Sequence, residues 1–201
     1  MSCISLTVNE DIYVARETPT LTFGSATINV PEHAFLQAVP DAESQMQSLV
    51  ENGLKKCKTV ADLFCGVGTF TLSLARTSRI QAYDNDVPAI EALTSAVRHT
   101  QGLKPVTAVR RDLFRQPLSA RELKGIKGAV INPPRAGGQK QCEQLTKSEV
   151  SNIVMVSCNP QTFARDARIL MDGGYTMGAI SPIDQFLWSP HLEIVARFTR
   201  R

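Results

Sequence analysis

Apolar residues change their spacing near residue 40, and this change divides the chain into two parts. The first part holds three short runs in which apolar and polar residues alternate, and turn-forming residues such as Asn9, Gly24 and Pro31 separate them. Alternation over a few residues, bounded by glycine, asparagine or proline, is typical of β-strands joined by turns. The pattern therefore predicts short strands over CISLTV, TLTFG and ATINV.

A helix is predicted to begin at Pro40, in the segment PDAESQMQSLVENGLKKC. Asp41 lies at its amino end, where an acidic side chain is favourable. The apolar residues recur three or four positions apart, as on one face of a helix. They are Met46, Leu49, Val50 and Leu54.

Strand-like and helix-like segments then alternate along the chain. The strand-like segments are TVADLF, IQAY, VTAV, GAVI and NIVMV. Helical patterns follow them from about Phe70, from about Val87, near Glu122, around QKQCEQLT and around TFARDARILM. Two further β-like segments, YTMGAISPI and LEIVARF, end the chain. Five successive β–α units predict an α/β fold, with a doubly wound, mostly parallel sheet and an antiparallel last strand.

Composition excludes several classes of protein. The 43% hydrophobic and 20% charged residues are typical of a globular protein, and the net charge of +3 permits a nucleic-acid partner without indicating one. No apolar run reaches the ~20 residues of a membrane helix, and the first residues lack a signal-peptide pattern. Five cysteines without a C-x-x-C pair argue against a disulfide framework and a metal cluster. We therefore expect a reducing, cytoplasmic compartment.

Ligands of such sheets bind beyond the carboxyl ends of the strands, so the residues that follow each strand are candidates. Gly66 and Gly68 follow the first strand and let the backbone approach a ligand closely. Asp84 follows the second strand, where an acid binds ribose hydroxyls, and Asp112 follows the third. Either aspartate could instead cap a helix. Asn132 opens the proline-stiffened loop NPPRAGG after the fourth strand.

Two cofactors suit this arrangement. A nicotinamide dinucleotide requires a third glycine in the pattern G-x-G-x-x-G, but Phe70 and Thr71 follow Gly68 here. S-adenosylmethionine fits better, because an acid follows each of the second and third strands and an Asx-Pro-Pro loop follows the fourth. A class I methyltransferase has this layout, including the antiparallel last pair of strands.

Cys158 lies at the carboxyl end of the fifth strand, in IVMVSCNPQTFARD. A structural cysteine would normally lie within the apolar run. The loop is held between Pro160 and the amino end of a helix, which favours the thiolate. A thiolate that adds to carbon 6 of uracil makes carbon 5 nucleophilic enough to accept a methyl group. Cys158 is therefore a candidate nucleophile.

The same reaction needs a base that removes the proton from carbon 5, so that the thiolate can leave. Glu193 is the best candidate, since its carboxylate begins an otherwise apolar strand in SPHLEIVARF. The alternative is that this glutamate faces solvent at a sheet edge. His191 is the competing base, although it could equally be a structural histidine.

Four motifs resemble the RNA uracil-5 methyltransferase family, whose members make 5-methyluridine in transfer and ribosomal RNA. They are DLFCGVGTF, NPPRAG, VSCNPQTFARD and SPHLEIVARF, and the resemblance covers about residues 35–201. It implies that Cys158 is the nucleophile, that Glu193 is the base, and that S-adenosylmethionine and RNA are the cofactor and partner. The positions that correspond to the cofactor site are Gln37, Phe64, Gly66, Gly68, Thr69, Asp84, Asp112 and Asn132.

The sequence departs from the family at two site positions. Asn132 replaces the usual aspartate, and Asp84 replaces the usual glutamate. The family's amino-terminal RNA-binding barrel and its iron–sulfur cysteines are not visible either. We therefore expect residues 1–36 to be the remainder of a central domain and residues 37–201 to be the catalytic domain of a longer protein. We also expect a monomer without a bound metal or a membrane segment.

Three alternatives remain at this point. The target could be a uridine of transfer RNA, although DLFRQPL and PQTFARDAR favour 23S ribosomal RNA. The target could also be a cytosine in RNA, since those enzymes use a cysteine nucleophile too. Finally, the chain could be a binding module that has lost catalysis, a possibility that Asn132 raises. Retention of both Cys158 and Glu193 argues against it.

Overall fold

The computed structural model describes residues 5–8, 11–15, 17–185, 188–189 and 191–200. The strands are β1 (Ser5–Val8), β2 (Asp11–Ala15), β3 (Thr20–Phe23), β4 (Ala26–Asn29), β5 (Thr59–Leu63), β6 (Arg79–Asp84), β7 (Val106–Arg110), β8 (Gly128–Ile131), β9 (Asn152–Ser157), β10 (Thr176–Ile183) and β11 (Glu193–Thr199). The helices are α1 (Pro40–Leu54), α2 (Thr69–Leu74), α3 (Val87–His99), α4 (Gln139–Thr146) and α5 (Pro160–Asp172).

Seven strands form the central sheet, in the order β10-β11-β9-β8-β5-β6-β7. The five strands from β5 to β9 pair in parallel, whereas β11 runs antiparallel to both β9 and β10. The predicted α/β sheet with an antiparallel last strand is confirmed. Since β11 separates β9 from β10, those two strands run in the same direction. The carboxyl end of β10 and the amino end of β11 therefore lie at the same sheet edge as the carboxyl ends of the parallel strands.

Both faces of the central sheet are covered, which explains why its inner strands are apolar throughout. In β9, Val154 and Val156 belong to the hydrophobic cluster beneath α1, α2 and α3. Ile153 and Met155 belong to a second cluster, which α4 and α5 cover. Successive side chains of a strand point to opposite faces, so β9 contributes alternately to the two clusters. The strand is therefore packed on both of its faces.

The hairpin of β3 and β4 packs on the first of these cores. Phe23, Ala26 and Ile28 are buried in the same cluster as Leu93 of α3. The two predicted strands TLTFG and ATINV are confirmed, while DIYVA forms an additional strand, β2, that was not predicted. Cys3 lies outside the described residues. The domain boundary after residue 36 stays a prediction.

One predicted helix, near Glu122, is wrong. Residues 120–125 form consecutive turns, in which the Leu123 amide donates to the Ser119 carbonyl. Gly125 then adopts a φ of 82°, which a helix does not accommodate. The other predicted helices are present. In the part of the chain that the structure describes, no helix is long and apolar enough to cross a membrane.

Candidate active site

A cavity of about 640 Å³ opens at the carboxyl edge of the central sheet. Its volume lies within the range of about 300–1,000 Å³ that small-molecule sites occupy. The residues predicted for the site line it, with one exception, Gly68. Those in its wall are Gln37, Phe64, Gly66, Thr69, Asp84, Asp112, Asn132, Cys158 and Glu193.

The glycine loop between β5 and α2 uses its two glycines differently. Gly66 has a φ of 52°, and a Cβ atom there would meet nothing within 4 Å, so the space above it is open to a ligand. Gly68 has a φ of 97°, and a Cβ atom there would lie 2.5 Å from Leu93 Cδ1. Gly68 is therefore required by the turn and by packing on α3. It does not line the cavity, and its predicted place in the cofactor site stays a prediction.

Phe64 begins this loop with a φ of 65°, a left-handed conformation that is costly for a bulky residue. Two backbone hydrogen bonds hold it, since the amides of Phe64 and Cys65 both donate to the Tyr83 carbonyl, at 2.9 and 3.1 Å. The ring of Phe64 packs on that of Phe114, with centroids 5.3 Å apart. The strained backbone thus turns an aromatic ring into the cavity wall.

Asp84 does not cap a helix. Its Oδ2 accepts from the Gly66 amide at 2.8 Å, and its Oδ1 accepts from the Asp86 amide at 3.0 Å. The cap of α3 is Asp86, whose Oδ1 accepts from the Ala89 amide at 3.4 Å. The Asp84 carboxylate therefore ties the glycine loop to the end of β6. Each of its oxygens keeps a lone pair that can accept a hydrogen bond from a ligand.

Asp112 does act as a cap, of the turn that follows it. Its Oδ1 accepts from the amides of Phe114 and Arg115, at 3.0 and 3.1 Å, and its Oδ2 lies 3.5 Å from Arg115 Nε. Asp112 therefore caps a turn rather than a helix, and its side chain also lines the cavity.

A buried carboxyl group lies on β5, two residues before the glycine loop. Asp62 is fully buried, and Thr71 donates to its Oδ2 at 2.6 Å, whereas its Oδ1 has no partner among the described residues. Burial raises the pKa of Asp62 to about 7, and the nearby charge of Asp84 adds to the increase. The beginning of α2 is thus held by a carboxyl group that titrates near neutral pH.

Cys158 and Glu193 come together where β9 and β11 reach the cavity. Ser157, the last residue of β9, pairs with Ile194 of β11 in antiparallel register. The next position in this register places Cys158 opposite Glu193, the first residue of β11. Residues opposite each other in an antiparallel pair have Cβ atoms about 4.5–5.5 Å apart and share a face of the sheet. Both side chains line the cavity, so the predicted nucleophile and base are neighbours.

The expected preference of Cys158 for the thiolate is wrong for the resting protein. Burial raises the pKa of the Cys158 thiol, and the negative charge of Glu193 raises it further. The cap of α5 is Asn159, which accepts from the Gln161 amide at 3.0 Å, so Cys158 precedes the helix rather than beginning it. The positive charge of Arg135 opposes the increase but does not outweigh it.

Arg135 reaches this position because the loop Asn132–Gly138 is fastened to α5. The Arg135 carbonyl accepts from Asn159 Nδ2 at 3.0 Å and from Thr162 Oγ1 at 3.1 Å. Asp166, which is buried, accepts from the Gly138 amide at 2.6 Å. The loop after β8 and the cysteine after β9 therefore form one rigid wall of the cavity.

Comparison with known proteins agrees with this geometry. The family model for tRNA (uracil-5-)-methyltransferase matches residues 13–201. The chain belongs to this family. An uncharacterized RNA methyltransferase of Brucella suis biovar 1 is 50% identical over 190 residues, which are 94% of this chain and 46% of that protein. The chain thus spans about half the length of these curated relatives.

Two further similar proteins are named for different RNA targets. The 23S rRNA (uracil(1939)-C(5))-methyltransferase RlmD of Alteromonas naphthalenivorans is 32% identical over 176 residues, covering 83% of this chain and 36% of that protein. The crystal structure of Pyrococcus abyssi tRNA (uracil-54, C5)-methyltransferase with S-adenosyl-L-homocysteine superposes with a TM-score of 0.74. It is 27% identical and covers 94% of this chain and 46% of that one. The fold is that of a class I methyltransferase.

Several residues that line the cavity of this chain were not predicted from its sequence. Phe35, Phe114 and Arg135 line it, although Phe114 and Arg135 lie in the quoted segments DLFRQPL and NPPRAGG. Gln185 supports Glu193 from behind, with Nε2 3.1 Å from Glu193 Oε1. A signal for Gln185 exists, because it lies two residues after β10, whose carboxyl end reaches the same sheet edge.

The two candidate bases, Glu193 and His191, differ in burial. Glu193 is only 3% exposed, and this desolvation raises the pKa of its carboxyl group, against the opposing hydrogen bond from Gln185. The alternative of a solvent-facing glutamate is therefore wrong. His191 is exposed and, among the described residues, does not belong to the cavity wall. Glu193 is thus a desolvated carboxylate beside the thiol, and its role as the base stays a prediction.

The remaining described cysteines, Cys57, Cys65 and Cys142, are buried free thiols. Burial raises the pKa of each of them, so they are inert packing groups. Within the described ranges, no group of three or more His, Cys, Asp or Glu side chains could hold a metal ion.

Proposed function

We propose that this protein transfers a methyl group from S-adenosylmethionine to carbon 5 of a uridine in RNA. The observation that carries the proposal is the placement of Cys158 opposite Glu193 in the wall of one cavity. A methyltransferase for oxygen or nitrogen needs no thiol, whereas addition of a thiol to carbon 6 activates the weakly nucleophilic carbon 5. Membership of the uracil-5 methyltransferase family supports the same chemistry.

The cavity fits S-adenosylmethionine. The open space over Gly66 allows a ligand to lie against the loop backbone, and the lone pairs of Asp84 suit two ribose hydroxyls. Phe64 and Gln37 line the same cavity and would contact the same cofactor. S-adenosylmethionine, when bound, supplies an electrophilic methyl group.

Cys158 begins the reaction by losing its proton to solvent, and the positive charge of Arg135 stabilises the thiolate. The sulfur electron pair then forms a bond to carbon 6 of the uracil, and the electrons of the carbon 5–carbon 6 double bond move toward the ring carbonyl as an enolate. Carbon 5 of this enolate is nucleophilic and takes up the methyl group, while the electron pair of the broken methyl–sulfur bond stays on the cofactor's sulfur as the leaving group. The target base must leave its stack to reach Cys158.

Glu193 completes the reaction by removing the proton that remains on carbon 5. The electrons of that carbon–hydrogen bond restore the double bond, and the carbon 6–sulfur bond breaks to regenerate the thiolate. Glu193 then releases its proton to water. Its raised pKa suits this role, because a more basic carboxylate accepts a carbon-bound proton more readily.

A uridine of 23S ribosomal RNA is the target that we propose. The support is the relative from A. naphthalenivorans, which acts on 23S rRNA and resembles 83% of this chain. A transfer RNA uridine is the competing target, on the strength of the P. abyssi structure. A reducing cytoplasm is the compartment that the free nucleophilic thiol requires.

The test is incubation of the protein with methyl-labelled S-adenosylmethionine and total RNA that lacks the modification, followed by digestion to nucleosides. Label in 5-methyluridine supports the proposal, and separation of ribosomal from transfer RNA identifies the target. Label in 5-methylcytidine would assign the chain to the cytosine-5 enzymes instead. Cofactor binding without any transfer would indicate a module that has lost catalysis.

A further inference from the structure

Gln185 lies at the centre of a hydrogen-bond network behind the cavity. Its Oε1 accepts from the Ala38 amide at 3.0 Å. Its Nε2 donates to Gln37 Oε1 at 2.8 Å and to Glu193 Oε1 at 3.1 Å. Gln185 is 5% exposed, so these contacts are shielded from water. A single buried amide therefore contacts one residue of the cofactor side and one of the catalytic side.

The orientation of this amide is fixed by its partners. The Ala38 amide can only donate, so Gln185 must present its oxygen to it and its nitrogen to the other two residues. Both protons on that nitrogen are then used, one by Gln37 and one by Glu193. Because Gln37 presents its oxygen to Gln185, its own amide nitrogen is left as a donor for the cavity that it lines.

The hydrogen bond from Gln185 determines how the Glu193 carboxylate is held. In the part of the chain that the structure describes, the Glu193 carboxylate accepts from no side chain other than Gln185. The residues on either side of it in the sheet are Ile183 on β10 and Cys158 beyond the end of β9. A desolvated carboxylate with one hydrogen bond is oriented by that bond, so Gln185 decides where the proton-accepting oxygen points.

We propose that Gln185 is a positioning residue that couples the two halves of the site: one amide aims the Glu193 carboxylate at the substrate and fixes Gln37 as a donor toward the cofactor. This inference rests on the proposed function. It extends that function, because a side chain behind the cavity contacts both Gln37, on the cofactor side, and Glu193, the proposed base.

Substitution Gln185→Met tests the coupling, because methionine fills similar space but neither donates nor accepts these hydrogen bonds. Two quantities are measured. The first is the affinity for S-adenosylmethionine without RNA, by calorimetry, which should fall about threefold to tenfold because Gln37 loses its orientation. The second is the fraction of RNA that is covalently attached to protein during turnover, on a denaturing gel, which should rise because Glu193 removes the proton more slowly.

Three control variants separate the contributions. Gln37→Met should lower the cofactor affinity without raising the adduct fraction. Glu193→Gln should raise the adduct fraction without lowering the cofactor affinity. Gln141→Met removes a buried glutamine that binds the Leu118 backbone at 2.8 and 3.1 Å, away from the cavity. It should lower the melting temperature alone. Gln185→Leu, which is smaller and also neither donates nor accepts, should reproduce both changes if the methionine variant does not fold.

The proposal is supported if the Gln185 variant changes both quantities while Gln141→Met changes neither. It is overturned if only one quantity changes, or if the melting temperature falls and neither quantity changes. In those cases the adduct formed by Glu193→Gln still supports the proposed function. Absence of an adduct in Glu193→Gln would instead contradict Glu193 as the base, and with it the positioning role of Gln185.

Discussion

Glu193 and Cys158 occupy opposite positions of two antiparallel strands, one residue beyond the pair formed by Ile194 and Ser157. The first residue of β11 therefore lies next to the residue that follows β9, although the two are far apart in the chain. An antiparallel strand, β11, inserted between β9 and β10 is what brings Glu193 next to Cys158.

Replacing the nucleophile should abolish catalysis and spare cofactor binding. Cys158→Ser removes the thiol, and a serine hydroxyl without a dedicated base adds far more weakly to carbon 6. We expect methylation of uridine to fall below detection while calorimetry gives an unchanged cofactor affinity. The control variant Cys57→Ala alters a buried thiol before the amino end of β5, the end that does not reach the cavity. It should retain activity. A Cys158→Ser protein that still forms 5-methyluridine would exclude the covalent route.

RNA that contains 5-fluorouridine should trap the wild-type protein. Addition and methyl transfer proceed as before, but carbon 5 then carries fluorine, which Glu193 cannot remove as a proton. We expect a band of protein–RNA adduct that survives denaturation and requires S-adenosylmethionine. The Cys158→Ser variant serves as the control and should give no band. An adduct in that variant would show that another residue is the nucleophile.

Loss of the Asp84 carboxylate should weaken cofactor binding. Asp84→Ala removes the acceptors proposed for the ribose and releases the Gly66 amide, so the affinity for S-adenosylmethionine should fall by about 1–3 kcal/mol. Calorimetry on the chain without RNA measures it. Asp172→Ala, which breaks only an exposed pair with Arg168, should bind normally. Equal affinity in the two variants would mean that Asp84 only supports the loop.

The buried Asp62 should make stability depend on pH. Its pKa rises from 3.8 to about 7 on folding, so the folded state binds its proton more tightly. The resulting stability is complete below about pH 4 and is lost as the pH rises to about 7. Asp62→Asn stays neutral, so its advantage over the wild type in urea unfolding should grow across this range, by about 4 kcal/mol at most. Parallel stability curves would contradict a buried, titrating Asp62.

Much of the fold was predictable because its strands are buried on both faces. The apolar runs of β5, β6, β8 and β9 are explicit in the sequence, and turn residues mark their ends. The segment near Glu122 was not predictable in the same way, because its helical pattern is ended by Gly125 after a single turn. A local pattern does not reveal where the backbone leaves the helical region.

The site was predictable where one rule applied, namely that ligands bind beyond the carboxyl ends of parallel strands. That rule located Asp84, Asn132 and Cys158. Gln185 was missed because the last two strands were treated as an antiparallel addition, although β10 ends at the same edge. The raised pKa of Cys158 was missed as well, since burial and the charge of Glu193 come from tertiary packing.

A covalent bond between Cys158 Sγ and uracil can be detected in the Glu193→Gln variant. Glu193→Gln protein is incubated with RNA and S-adenosylmethionine, the adduct is isolated under denaturing conditions, and its nuclease and protease digest is sequenced by mass spectrometry. Because the methyl group transfers but the proton stays, we predict a peptide that carries 5-methylated, saturated uridine on Cys158. An unmodified Cys158 peptide together with active methylation by this variant would contradict the account.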